Sequence, residues 1–136
     1  MSLVLDASMA MAWFIDEDHV DAVQSVLDLV TAEGAVVPSL WRLEVANSLH
    51  NSVRRKRIDK FFADECLVLL GRLNIVIDSE TDEHAWSETR LLAIKHGLTV
   101  YDAAYLELAI RRQLPLASCD GDLIKAAKKA GVGVVG

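Results

Sequence analysis

Four acidic residues of this 136-residue chain stand in apolar surroundings. Asp6 closes Leu3-Val4-Leu5, and Asp120 closes the run Pro115-Leu116-Ala117-Ser118-Cys119. Glu44 sits within Trp41-Arg42-Leu43-Glu44-Val45-Ala46, and Asp102 follows Val100-Tyr101. A buried carboxylate is costly unless it is paired or bound to metal. Carboxylates that converge also raise one another's pKa. A divalent cation resolves that conflict, because Mg²⁺ and Mn²⁺ accept carboxylate oxygens together with water. Each acid also has a purely structural explanation. Asp6 and Asp120 suit helix N-caps, Glu44 could pair with Arg42 or a distant base, and Thr99 with Asp102 has the spacing of a capping box. The four form no local motif, so a shared site requires the fold to gather them.

Other chemistries lack their residues. There is no Ser/His/Asp or Cys/His set for covalent catalysis and no Gly-rich phosphate loop. His19, His50, His84 and His96 show no HxxxH or HExxH spacing, and Cys66 and Cys119 form no CxxC, which argues against zinc. Both cysteines are expected to be lone buried thiols.

The elements that would position the acids follow from periodicity. Short apolar runs at 3–5, 35–37, 75–77, 115–119 and 132–135 read as strands. Between them, 8–15, 17–32, 39–57, 60–72, 81–96, 99–113 and 123–130 read as helices. Alternating strands and helices predict an α/β fold: a mainly parallel sheet of about five short strands, helices on both faces. In such sheets the functional crevice lies beyond the carboxyl ends of the strands. Asp6 and Asp120 end strands there, and Glu44 and Asp102 lie early in helices that start near that edge. With no linker, repeat or low-complexity tract, one domain over 1–136 is expected.

The net charge of −6 is unevenly spread. Residues 16–33 carry six acids and no Lys or Arg, whereas 39–60 hold six basic residues against two acidic ones. The Arg54-Arg55-Lys56-Arg57 run reads either as a solvated helix end that complements the helix dipole or as a face that steers a polyanion. Trp13, Phe14, Trp41, Phe61 and Phe62 are expected to be mostly core, with a partner surface as the alternative. No apolar run reaches the ~18 residues of a membrane span. Residues 7–15 follow an acid with no basic residue before it, unlike a secretory signal, so the expected location is cytoplasmic.

The stretches LVLDASMAMAWF, PSLWRLEVANSL, LTVYDAAYLELA and LPLASCDGDLIKAAKKAGVGVV, in that order, resemble the four blocks of PIN-domain proteins, in particular the VapC-like ribonuclease toxins of bacterial toxin–antitoxin pairs. The resemblance implies a PIN-like domain with an acidic site for Mg²⁺ or Mn²⁺ formed by Asp6, Glu44, Asp102 and Asp120. Asp6 would be the central ligand, Asp102 and Asp120 would complete the cage, and Glu44 would ligate or orient the attacking water. Ser118 matches the family's hydroxyl two residues before the last aspartate and would fix a carboxylate or a water. Asp122 matches no family motif and stays outside this set. The implied activity is metal-dependent hydrolysis of RNA phosphodiester bonds. The implied partners are an RNA substrate, a small antitoxin lying across the early helices, and a second copy of the chain. Two other classes remain open from the residues. An aspartyl phosphotransferase is one, although haloacid-dehalogenase-like enzymes need an aspartate where Ser8 stands. The other is a non-catalytic binding module that keeps the fold.

Overall fold

The computed structural model describes residues 2–15 and 20–136. Its strands are the short β-branched and leucine runs: β1 (Val4–Leu5), β2 (Ala35–Val37), β3 (Ile75–Ile77) and β4 (Leu116–Ala117). They form one four-stranded sheet in the order β3-β2-β1-β4, and every pairing is parallel. Val4 lies opposite Val36 on one side and Leu116 on the other. Strands β1, β2 and β4 are buried throughout, as expected of a parallel sheet covered on both faces. Only β3, at one edge, keeps Val76 and Ile77 in contact with solvent.

Eight helices accompany the sheet among the described residues: α1 (Ala7–Ala12), α2 (Val20–Glu33), α3 (Trp41–Arg54), α4 (Lys60–Gly71), α5 (Thr81–His84), α6 (Glu88–His96), α7 (Val100–Arg112) and α8 (Gly121–Lys129). None is long and apolar enough to cross a membrane. Helix α7 runs through the core. Ala103 to Ala109 are all buried, with Tyr105, Leu106 and Leu108 fully enclosed. The sharp entry into β2 depends on Gly34, whose φ of +78° suits glycine and whose missing Cβ leaves room for the Asn74 carbonyl.

Several expectations need correction. The sheet has four strands rather than about five, because 132–135 makes only a single bridge, Leu116 to Val134; β4 is two residues long and offers little edge to extend. The helix expected over 81–96 is two. At the break the Ser87 amide turns back to the His84 carbonyl and its hydroxyl donates to the Glu88 carboxylate, the local competition that makes serine a poor helix-interior residue. Cys66 is buried, but Cys119 is exposed just past the end of β4. Phe61 and Phe62 are not core: Phe61 is 80% exposed on the outer face of α4. Trp41 is buried, and Trp13 and Phe14 pack half-buried against the core. The helix start expected at Glu17 lies outside the described residues.

Candidate active site

Parallel strands leave their last residues at one edge, and the neighbouring strands β1 and β4 both lead into acids. Asp6 and Asp120 therefore meet there. Helix α3 presents Glu44 from its first turn, and α7 presents Asp102 from its own. All four acids line one open cleft of about 260 Å³ together with Ser8, Asn47 and Ser48. Among the described residues, no lysine, arginine or histidine lines it.

Asp6 is the most enclosed of the four, 5% exposed. Its Oδ2 accepts hydrogen bonds from Ser118 Oγ at 2.6 Å and Ser8 Oγ at 2.7 Å. Each serine is held in turn by a backbone amide. Ser118 Oγ accepts from the Asp120 N–H (2.9 Å) and Ser8 Oγ from the Cys119 N–H (3.0 Å). Both hydroxyl protons are thereby committed to Asp6. Ser118 thus links the two strand-end aspartates, and Ser8 ties the same Asp6 oxygen to the Cys119 amide, a role that sequence reasoning missed. Its only signal was proximity, two residues after Asp6.

Glu44 does not pair with Arg42. Its Oε1 accepts from the Tyr105 hydroxyl at 2.5 Å. Tyr105 looks like a core aromatic and is fully buried, but its polar end serves the cleft. It lies three residues after Asp102, one turn along the same face of α7. Asn47 and Ser48 occupy the corresponding positions one turn after Glu44 on α3.

The electrostatics are those of crowded acids. Burial pushes the Asp6 carboxyl above its ordinary range and Asp120 adds to this, against the two serine hydroxyls. Glu44 is raised by burial, with Asp6 and Asp102 contributing and Tyr105 opposing. Asp102 is raised to about 6 by burial and by the charges of Asp120 and Asp6. Tyr105 is held far above its usual value, by burial and by Asp6 and Glu44.

The structural roles considered for these acids are partly realised as well. Thr99 caps α7 and accepts the Asp102 N–H at 3.1 Å. Asp120 caps α8 and accepts the Asp122 N–H at 3.0 Å. Asp6 stands at the N-cap of α1 but makes no side-chain cap bond. Thr99 takes only the backbone N–H of Asp102, and capping by Asp120 uses one carboxylate oxygen, Oδ1.

The donor set fits a hard divalent cation. It consists of oxygen ligands only, carries several negative charges and, among the described residues, contains no base to neutralise them. A separate trio, Glu80, Glu83 and His84, brings ligand atoms within 4.8 Å of one another. It is largely exposed and otherwise occupied: Glu80 reaches Arg111 at 3.5 Å, and His84 Nδ1 lies 3.4 Å from Glu88. The four acids of the cleft remain the candidate site.

Residues 3–129 match the family model for the PIN domain. The chain belongs to the PIN-domain family. A relative named ribonuclease VapC3, from Pyrobaculum aerophilum, is 31% identical over 109 residues, covering 80% of this chain and 82% of its own length. Among solved structures, PAE2754 from the same organism superimposes with a TM-score of 0.69 at 23% identity, covering 93% of this chain and 79% of that one. VapBC2 from Rickettsia felis, solved bound to a DNA fragment from its promoter, gives 0.67 at 18% identity over 98% and 97% of the two chains. The mixed α/β arrangement of this PIN domain, four parallel strands with eight helices, is the fold of these neighbours.

Proposed function

We propose that this PIN domain, one domain over 1–136, is a cytoplasmic metal-dependent ribonuclease and the toxin of a toxin–antitoxin pair. One observation carries the reading: four carboxylates from the ends of β1 and β4 and from α3 and α7 line a single cleft with no basic side chain among the described residues. The name of the VapC3 relative supports the activity, and the VapBC2 neighbour supports the toxin–antitoxin setting.

Asp6, Asp102 and Asp120 would hold Mg²⁺ or Mn²⁺, with Glu44 as a further ligand or as the group that orients water. Bound there, the cation would supply Lewis acidity toward a phosphodiester and a more acidic water. The chain's own residues do the positioning. Ser118 and Ser8 both hold Oδ2 of the Asp6 carboxylate, which leaves Oδ1 for the cleft. Tyr105 anchors one oxygen of Glu44 and leaves the other directed by the packing of α3. Outer contacts of this kind set ligand geometry and commonly matter 10–100-fold in affinity or activity, an order-of-magnitude guide.

Two partners accompany the reading: a small antitoxin and a second copy of the chain. An apolar groove between α3, α4 and β3, lined by Trp41, Leu67, Leu70 and Ile75, offers surface for the antitoxin, and exposed Phe61 adds to the apolar face of α4. The test of the activity is direct. Purified protein with Mn²⁺ should cut a mixed single-stranded RNA, and EDTA should abolish cutting. Cleavage that persists in EDTA, or none with either Mg²⁺ or Mn²⁺, would contradict the proposal.

A further inference from the structure

A cleft lined by four acids, in a chain of net charge −6, repels the polyanion it would have to cut. Some cationic surface beside it must hold the strand. Arg54, Arg55 and Arg57 are exposed, but at the far end of α3, about 15 Å along the helix from Glu44 at 1.5 Å per residue.

A second depression lies closer. A cleft of about 350 Å³ opens between the end of α6 and the outer face of α8, lined by Lys95, His96, Asp122, Lys125 and Lys129. It adjoins the acidic cleft through the first turn of α8, where the Asp122 N–H donates to Asp120 Oδ1. Asp120 lines one depression and Asp122 the other.

Three features mark it as a site for an anion. Lys95, Lys125 and Lys129 are exposed, and none forms an ion pair with a described residue. Lys125 and Lys129 are one turn apart on the same face of α8, a like-charge spacing that costs helix stability. Lys129 in the last turn complements the helix dipole, but Lys125 in mid-helix has no such explanation. Finally, the His96 ring lines the same cleft, and its Nε2 is buried with no hydrogen-bond partner among the described residues.

We propose that the α6–α8 cleft holds the backbone of the single-stranded RNA substrate beside the cutting site, with Lys95, Lys125 and Lys129 contacting successive phosphates. This rests on the ribonuclease reading above. Along α8, Lys125 and Lys129 lie about 8 and 14 Å from Asp120 at 1.5 Å per residue. Asp122 is the one carboxylate in the cleft and sits at the end nearest the acidic site, where a cation would offset it.

The test compares wild type with the triple variant Lys95→Gln, Lys125→Gln, Lys129→Gln, all surface changes compatible with folding. Anisotropy of a labelled single-stranded RNA is measured in EDTA, where nothing is cut, from 50 to 200 mM salt. Three lost phosphate contacts should reduce the slope of log K against log salt by about 2, at roughly 0.7 per contact. Affinity at 50 mM salt should fall about tenfold or more, and in Mn²⁺ the variant should show a raised KM with kcat within about twofold. Arg54→Ala, Arg55→Ala, Arg57→Ala in one chain should lose less on both measures. Unchanged affinity and slope in the lysine variant would overturn the proposal. So would RNA binding that millimolar inorganic phosphate displaces at constant ionic strength, since the cleft would then be a free-anion site. If the lysine variant loses binding while wild type cuts no RNA with Mn²⁺, the strand-binding cleft stands and the ribonuclease reading falls. If wild type cuts RNA and the lysine variant binds and cuts equally well, only the cleft assignment falls.

Discussion

Two strands of this chain end in nearly the same sequence, Leu3-Val4-Leu5-Asp6 and Ile75-Val76-Ile77-Asp78. Both aspartates are buried at the carboxyl edge of the sheet, 5% and 3% exposed. Their surroundings are opposite. Asp78 receives the Arg111 guanidinium through both oxygens, at 2.6 and 3.1 Å, and the Thr81 hydroxyl at 3.1 Å. The same guanidinium binds both oxygens of buried Glu107 at 2.7 and 3.1 Å. Burial alone would raise the Asp78 carboxyl, but Arg111 and Thr81 outweigh it and hold it below its usual range. Asp6 has two neutral hydroxyls and three acidic neighbours in its cleft, and its carboxyl is raised. Helix α7 serves both clusters, contributing Asp102 to one and Glu107 with Arg111 to the other. Where the fold needs a buried carboxylate for its own sake, it supplies the cation from the chain. Around Asp6 the described residues supply none, the arrangement expected of a site whose cation comes from outside.

The largest effect that would sharpen this contrast is at Arg111. Arg111→Met strands Asp78 and Glu107 without a counter-charge, and breaking a buried pair on one side costs about 3–5 kcal/mol. Urea denaturation at pH 7 should show that loss, with partial recovery when Asp78→Asn is added. A loss under 1 kcal/mol would mean that the Asp78 cluster is no more self-sufficient than the Asp6 cluster.

The contrast also explains what was legible in the sequence. Asp6 and Asp120 could be found because each directly follows a strand-type run, and the edge of a parallel sheet is where such residues meet. Glu44 and Asp102 were readable as charges early in helices that start at that edge. Asp78 follows a strand in the same way yet was passed over, since its partner Arg111 lies 33 positions on at the end of a helix whose pattern announces only core. Tyr105 was legible as core, but its hydroxyl's task was not, because nothing local tells which distant carboxylate a buried phenol will meet. The four acids were visible together because a resemblance named them; spacing alone left each with a capping or pairing explanation. The break at Ser87 and the reduction of 132–135 to one bridge depend on local hydrogen bonds and on a two-residue β4, neither of which periodicity encodes.

A smaller effect separates the clusters by pH. With chelator present, Asp102 has a folded-state pKa of about 6 against an ordinary 3.8. The folded protein therefore binds more protons than the unfolded chain between those values. The contribution of Asp102 to stability is most favourable below about pH 4 and is lost as pH rises through 6, by about 1–2 kcal/mol after allowance for solvent screening. Asp78 has the opposite sign: its contribution is present above pH 4 and fades as pH falls through its lowered pKa. Metal-free denaturation at pH 4.5 and 7 should show a steeper decline in wild type than in Asp102→Asn, where only the raised Asp6 and Glu44 carboxyls remain to contribute. An equal decline in both would remove Asp102 from the strained set.

The smallest effect is at Tyr105. Tyr105→Phe keeps the ring and deletes the donor to Glu44, for about 1 kcal/mol, because half-buried Glu44 can take water instead. The carboxyl titration of Glu44, followed by NMR, should move further upward in the variant. A downward shift would mean that the phenol does not support the charged form.

Metal-induced stabilisation tests the contrast most directly. Melting temperatures of wild type, Asp102→Asn and Asp78→Asn are measured in EDTA and with Mn²⁺ in large excess. A ligand at 100 times its Kd stabilises the folded state by about 2.7 kcal/mol. The expected result is a clear upward shift with Mn²⁺ in wild type and in Asp78→Asn, and little or none in Asp102→Asn, whose metal-free stability equals or exceeds wild type. A full Mn²⁺ response in Asp102→Asn would contradict the assignment of the Asp6 cluster as the cation site.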